Sequence, residues 1–515
     1  MITRVRSAVL QGLDGAPVDV ETDLSNGLPT YTVVGLPDAT VKESRDRVRA
    51  AIKNAGLEYP MKRITVNLAP AHTRKEGSHL DLAMAIGILS ASAQLSHEKL
   101  SSVGFLGELS LNGSLQPVVG ALPLTIALRS AGLKAVAVPV ANAQEAALVE
   151  GLEVFGFESL SQLCRWLNGE TEAAPCERSP DTDSGEGRNY DVDFSDVMGQ
   201  EQAKRAMEIA AAGGHNLLIV GSPGAGKTML AKRFPTILPD LSYEEALEVT
   251  KIYSISGMLG DRKGLVLERP FRSPHHTMSA VSLVGGGRAP KPGEVSLAHY
   301  GVLYLDEFTE FSRMTLEVLR QPMEDGQVSI SRVSQTVTYP CSFTLVASMN
   351  PCPCGFLTDP ARECTCRPTD VKRYLSKVSG PLLDRIDLQV DVMPVPFESL
   401  RSTLPATSSR TLKERVSAAR AIQTARYRKS RIFCNAQLGS AMLRRHCQLD
   451  SGSEALLEAA FRRLNLSARA YAKLLKISRT IADLEGCDAI LQHHLAEAIQ
   501  YRKMDRSGFF GGLSC

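Results

Sequence analysis

Residues 221–228 read GSPGAGKT, a G-x-x-x-x-G-K-[ST] pattern that dictates its own surroundings. Backbone N–H groups wrap a phosphate only where glycines let the chain turn tightly, between a strand and the start of a helix. The strand-like HNLLIV precedes the pattern and the helix-like MLAKRF follows it. Gly221, Ser222, Pro223, Gly224, Ala225 and Gly226 are therefore the expected phosphate cradle. Lys227 would reach the β- and γ-phosphates, and the Thr228 hydroxyl would bind Mg²⁺. A glycine-rich turn of no function would not need this context.

GVLYLDEF supplies the partner groups. Its apolar strand ends in Asp306, placed to hold Mg²⁺ through water, and in Glu307, placed to orient the attacking water. Phosphoryl transfer needs positioning and charge neutralisation more than covalent chemistry, so these residues predict an ATPase. A third apolar run, TLVASMN, ends in Asn350. Arg385 follows a short helix-like segment in SGPLLDRIDL, and Arg469 opens a helix in LSARAYAKLLKISRT. Taken singly, each is an ordinary structural or solvated residue; their order behind the phosphate loop singles them out. Apolar runs of this kind suit parallel strands buried on both faces.

At 515 residues the chain exceeds one hydrophobic core. Residues 169–191, rich in Pro, Gly, Ser and acids, read as a linker. Before it, over 1–168, strand-like runs (ITVNL, VGFLG, AVAVP) alternate with helix-like ones, which predicts an α/β or α+β domain. An α/β ATPase core is expected over 192–400 and a helical region over 401–515. A net charge of +2 gives no global attraction to nucleic acid, so DNA binding would need local patches. The beginning of the sequence shows no signal-peptide pattern and no later run could span a bilayer, so a cytoplasmic address without membrane partners is expected.

Four of the eleven cysteines lie in NPCPCGFLTDPARECTC. Reduced thiols are the rule in the cytosol, which disfavours a disulfide there. Cys352, Cys354, Cys364 and Cys366 could satisfy tetrahedral Zn²⁺, although C-x-C spacing is tighter than the usual zinc pattern. Such a closed site would be structural. The alternative is a reduced, metal-free loop.

FRSPHHTMSAVSLVGGGRAPKPGEVSLAHYGVLYLDEFTEF, LRQPMEDGQVSISR and SGPLLDRIDL resemble the magnesium-chelatase-like branch of the AAA+ ATPases, and within it the ComM/YifB group. The resemblance covers nearly the whole chain. It implies an N-terminal Lon-protease-like domain (ribosomal protein S5 domain 2-like), a central AAA+ P-loop NTPase domain with a parallel sheet, and a C-terminal helical lid. By it, Asn350 is the sensor-1 residue, Arg385 an arginine finger offered to a neighbouring subunit's ATP, and Arg469 the sensor-2 arginine. It further implies a homo-oligomeric ring, a hexamer, using ATP and Mg²⁺ for DNA branch migration in recombination during natural transformation. Phe271 to His299 corresponds to a helix-2 insert, and GQVSISRVSQTVTYPCSF to a hairpin before sensor 1. Ser331, Arg332 and Arg288 are candidate DNA contacts on that basis.

KEGSHLDLAMAIGIL and GELSLNGSLQPVVGALPLT resemble Lon protease, whose chemistry needs a serine activated by a lysine. The family's serine falls on His79, with Ser78 one residue short, and its lysine on Pro123. Proline cannot act as the base, so no protease activity is expected. For the motor's load, Thr411–Ile432 carries seven Lys/Arg against one acid, with Tyr427 as its only aromatic. That composition favours backbone tracking over base readout. Chelatase-type metal insertion and protein remodelling are the competing loads.

Overall fold

A computed structural model describes residues 2–178, 190–260, 264–287, 290–331, 336–395, 407–430, 432–464 and 466–502. Arg288, Arg332 and the 400/401 boundary lie outside the described residues. The chain forms two compact units.

The first unit holds a seven-stranded mixed sheet. From edge to edge its strands are Thr30–Val34, Arg63–Ala69, Asp14–Ser25, Ile2–Gln11, Val103–Phe105, Ala135–Pro139 and Glu153–Phe157. Asp14–Ser25 pairs antiparallel with both Ile2–Gln11 and Arg63–Ala69, whereas the other neighbours pair parallel. The helix Asp81–Ala91 is buried along its whole length, as its nearly all-apolar sequence requires. This unit also takes in Tyr243–Val266 and Ser331–Tyr339, segments that lie in sequence within the expected ATPase core. The reason is local packing. The Ser254 carbonyl accepts from the Gly120 N–H at the head of the helix Ala121–Ser130, and the Ser254 hydroxyl bonds Glu145.

The second unit contains a five-stranded, all-parallel sheet in the order Phe271–Arg272, Val302–Leu305, Thr344–Met349, Leu217–Gly221, Leu388–Val392. The runs expected to be doubly buried strands are so: Leu217–Gly221 and Val302–Leu305 are buried at every residue. The expected insert, 271–299, holds short helices Ala280–Val284 and Glu294–Leu297 around the paired strands Gly285–Gly286 and Lys291–Pro292. The C-terminal region is helical: Ser409–Tyr427, Ser440–His446, Ser451–Leu464, Ala468–Leu484 and Gln492–Gln500. One hydrophobic cluster joins these helices to the sheet, with Leu412, Val416, Leu474 and Ile481 packed among Leu217, Ile219 and Leu388. No helix among the described residues is long and apolar enough to cross a membrane.

Asn216 stitches the base of this sheet. Its side-chain oxygen accepts from Leu345 N–H, its amide donates to the Arg385 carbonyl, and its backbone exchanges hydrogen bonds with Asp387. Asp387 in turn pairs with Lys473, 3.0 Å away on the helix Ala468–Leu484, and faces the buried His215. Burial opposes ionisation of Asp387, but the Lys473 charge and the His215 contact outweigh it and hold its pKa well below the usual range. Removing one partner of a buried pair leaves the other charge uncompensated. Lys473→Met should therefore destabilise this unit by about 3 kcal/mol, read as a lower urea midpoint. The depressed Asp387 pKa means that this stabilisation is present at neutral pH and fades as acid protonates the carboxylate.

Candidate functional site

The parallel register brings the sequence-predicted groups to one sheet edge. Val220 is opposite Met349, and Leu305 is opposite Ala347, so Gly221, Asn350 and Asp306 emerge side by side. Gly221 must be glycine because a Cβ there would collide with the Val392 carbonyl. Gly224 and Gly226 take left-handed backbone (φ 79° and 91°), which bends the loop back to the helix starting at Lys227.

Lys227 Nζ lies 2.8 Å from the Gly221 carbonyl, 3.0 Å from the Ser222 carbonyl and 3.0 Å from Asn350 Oδ1. Its burial lowers its pKa, against the opposing pull of Asp306 and Glu307. The Thr228 hydroxyl donates to Asp306 Oδ2 at 2.9 Å, so the two expected Mg²⁺ groups touch. The Ser348 hydroxyl donates to the other Asp306 oxygen and sits 3.0 Å from the Tyr304 hydroxyl. Burial would raise the Asp306 pKa, but hydrogen bonds from Ser348, Thr228, Tyr304 and the Glu307 N–H together lower it. The carboxylate is thus kept charged for a cation. Glu307 adopts left-handed backbone (φ 50°), and its carboxylate lies 3.1 Å from His276 Nδ1. Lys227, Asp306, Glu307 and Asn350 line one cavity of about 830 Å³. These groups can bind a nucleoside triphosphate with Mg²⁺, neutralise its phosphates and orient water.

Arg385 and Arg469 are not among the residues lining that cavity. They meet instead at Glu324: Arg385 Nη2 pairs with its carboxylate, and Arg469 Nη2 is 3.9 Å away. Arg385 is nearly buried, whereas the Arg469 side chain is 61% exposed. The four cysteines converge. Sγ–Sγ distances are 3.3 Å for Cys352–Cys354 and 3.6 Å for both Cys352–Cys364 and Cys354–Cys364. With Cys366, all four sulfurs lie within 4.8 Å of one another, so they could hold a metal ion.

In the first unit, the Ser78 hydroxyl donates to Glu108 and not to a lysine. His79 is buried, which lowers its pKa to about 4, and Pro123 is buried in the helix Ala121–Ser130. Ser331 ends the strand Gln327–Ser331 and is exposed, its hydroxyl 3.1 Å from Thr336. The basic segment behaves differently from its composition. Lys413, Arg415 and Arg426 pair with Asp240, Glu208 and Asp483, and Arg420 donates to the Ala211 carbonyl. Tyr427 is buried and bonds Asn435, so it offers no face for base stacking. The helix buries Leu412, Val416, Ala419, Gln423 and Tyr427 on one side, which is what absorbs the run.

Sequence reasoning missed Ser348, Tyr304 and His276. The first two are polar residues inside otherwise apolar strands, a visible signal; His276, in the HH pair of the insert, gave none in its spacing.

A P-loop of this geometry on an all-parallel sheet, with an acidic strand end beside it, is the arrangement of a P-loop nucleoside-triphosphatase, and comparison with known families narrows it to the magnesium-chelatase-like AAA+ class. Family models agree: "Magnesium chelatase, subunit ChlI" matches 193–400, "Subunit ChlI of Mg-chelatase" 20–142, and "Magnesium chelatase, subunit ChlI C-terminal" 406–502. The chain is 47% identical to the uncharacterized protein YifB of Escherichia coli, across 98% of this chain and 97% of that one. It is 44% identical to the competence protein ComM of Haemophilus influenzae, with the same coverage. A magnesium-chelatase 67 kDa subunit of Chlorobaculum parvum is 29% identical, over 31% of this chain and 23% of its own. The chain belongs to the ComM/YifB family.

Glu307→Gln should lower ATP turnover by about a hundredfold or more while leaving nucleotide affinity within a few-fold of the parent. Steady-state hydrolysis and a fluorescent-nucleotide titration check both halves.

Proposed function

We propose that this protein is a ring motor that hydrolyses ATP to drive branch migration or translocation along DNA, in recombination of incoming DNA during natural transformation. The observation that carries the ring is the placement of Arg385. The phosphate loop and the ends of two neighbouring strands supply Lys227, Thr228, Asp306, Glu307 and Asn350, while the candidate finger stands apart from the cavity and pairs with Glu324. A finger that serves a neighbour's ATP fits this division, and it requires a closed homo-oligomer, a hexamer by the family's habit. Arg469 serves as the lid's sensor. Mg²⁺ held by Thr228 and Asp306 would neutralise the phosphate charge.

DNA as the load is supported by full-length similarity to a protein named for competence, whereas the chelatase subunit matches only in part. Contacts would run through exposed loops, including Ser331, and track the phosphate backbone. The helix Ser409–Tyr427 contributes little, since most of its described cations have protein partners. Zn²⁺ suits the four cysteines: thiolates about 2.3 Å from a tetrahedral ion stand roughly 3.8 Å apart, close to the observed spacings. The place of action is the cytoplasm.

Purified protein should turn over ATP faster with single-stranded or branched DNA, and migrate a branched junction only with hydrolysable ATP. Absence of both binding and stimulation, at low as well as moderate salt, would refute DNA as the load.

A further inference from the structure

The cysteine loop does not hang beside the nucleotide site; it forms part of its wall. Asn350, which holds Lys227, is followed two residues later by Cys352. Gly355, at φ 86°, packs so closely on the phosphate loop that a Cβ there would stand 2.5 Å from the Pro223 ring. Across the loop, Thr365, Cys366 and Arg367 line the same cavity as Lys227, Asp306 and Glu307.

Arg367 differs from the other cations of that cavity. Arg373 is held by Asp370 at 3.0 Å, Lys377 by Glu310 at 3.3 Å, and Lys227 by carbonyls and Asn350. The Arg367 guanidinium is exposed and has no partner among the described residues. An arginine without a carboxylate, facing a cavity built for polyphosphate, has a planar fork of donors to offer. Its backbone adjoins Cys366, whose sulfur accepts from the Cys354 N–H at 3.3 Å. The four sulfurs are too far apart for a disulfide and are spaced for tetrahedral coordination.

We propose that a Zn²⁺ ion bound by Cys352, Cys354, Cys364 and Cys366 fixes Arg367 at the catalytic cavity, where its guanidinium contacts the terminal phosphate of the ATP bound by the same subunit. The proposal rests on the reading of that cavity as the ATP site. Zinc here takes no part in hydrolysis, because four cysteines leave no position for water. It holds the chain on both sides of the loop, so that Arg367 meets the phosphate without first being ordered. Arg367 is then a cis complement to Arg385.

The test uses the full-length protein without DNA, so it stands whatever the motor's load. Zinc should be close to one per chain, and Co²⁺ in its place should give the absorption of a tetrahedral thiolate site. Arg367→Ala should keep its zinc and lose about tenfold in kcat, with a smaller change in KM, because the contact is made best to the charge spread over the oxygens of the transferring phosphoryl group in the transition state. Arg367→Lys should recover part of that loss. Cys364→Ser should lose zinc and fall about as far as Arg367→Ala, and the double variant should fall no further. Wild-type kcat and KM in Arg367→Ala would overturn the proposal, and so would metal-free active protein or additive losses in the double variant. Should Cys364→Ser not fold, zinc-loaded Arg367→Ala decides alone. Undiminished turnover by Glu307→Gln would instead overturn the assignment of the cavity, and this proposal with it.

Discussion

The nucleotide site depends on the register of three parallel strands. Val220 opposite Met349, and Leu305 opposite Ala347, bring a loop, an asparagine and a carboxylate from distant parts of the chain to one edge. A parallel sheet gives this alignment only if its strands are covered on both faces, and here Leu217–Gly221 and Val302–Leu305 are buried throughout and Thr344–Met349 at all but its first residue. Asn216 fixes the register from below by engaging Leu345, Arg385 and Asp387 with one short side chain and its backbone. Asp387 and Lys473 then carry that order into the C-terminal helices.

Charge at the site is arranged for an anion that brings a cation with it. Lys227 is held by carbonyl dipoles and Asn350 and has no carboxylate ion pair among the described residues, which leaves its charge to be satisfied by phosphate. Asp306 accepts from Thr228 on one oxygen and from Ser348 on the other, so it is ionised and pre-aimed. Glu307 rests against His276, on the stretch of chain between the phosphate loop and the acidic strand. The two candidate arginines converge on Glu324.

Local motifs were legible in the sequence; assembly was not. GSPGAGKT and VLYLDE carry their own strand and helix context, and the buried strands and the helical C-terminal region could be read from apolar runs alone. Ser348 and Tyr304 stood out as polar residues inside apolar strands, but that signal has no assigned role until a carboxylate is known to lie opposite. The segment Tyr243–Val266 joins the first unit through packing between residues more than a hundred positions apart, which no window of sequence contains. The basic helix misled for a related reason. Lys413, Arg415 and Arg426 look like a free patch until Asp240, Glu208 and Asp483 are seen beside them.

Trans completion of the ATP site can be measured by mixing two variants that are each inactive. Glu307→Gln subunits keep Arg385 but cannot activate water, and Arg385→Ala subunits do the reverse. If Arg385 serves a neighbour, mixed rings contain interfaces with an intact Glu307 facing an intact Arg385, and ATP turnover should reappear on mixing. If Arg385 acts only within its own subunit, or not at all, no proportion of the two variants will restore activity, and the ring mechanism fails.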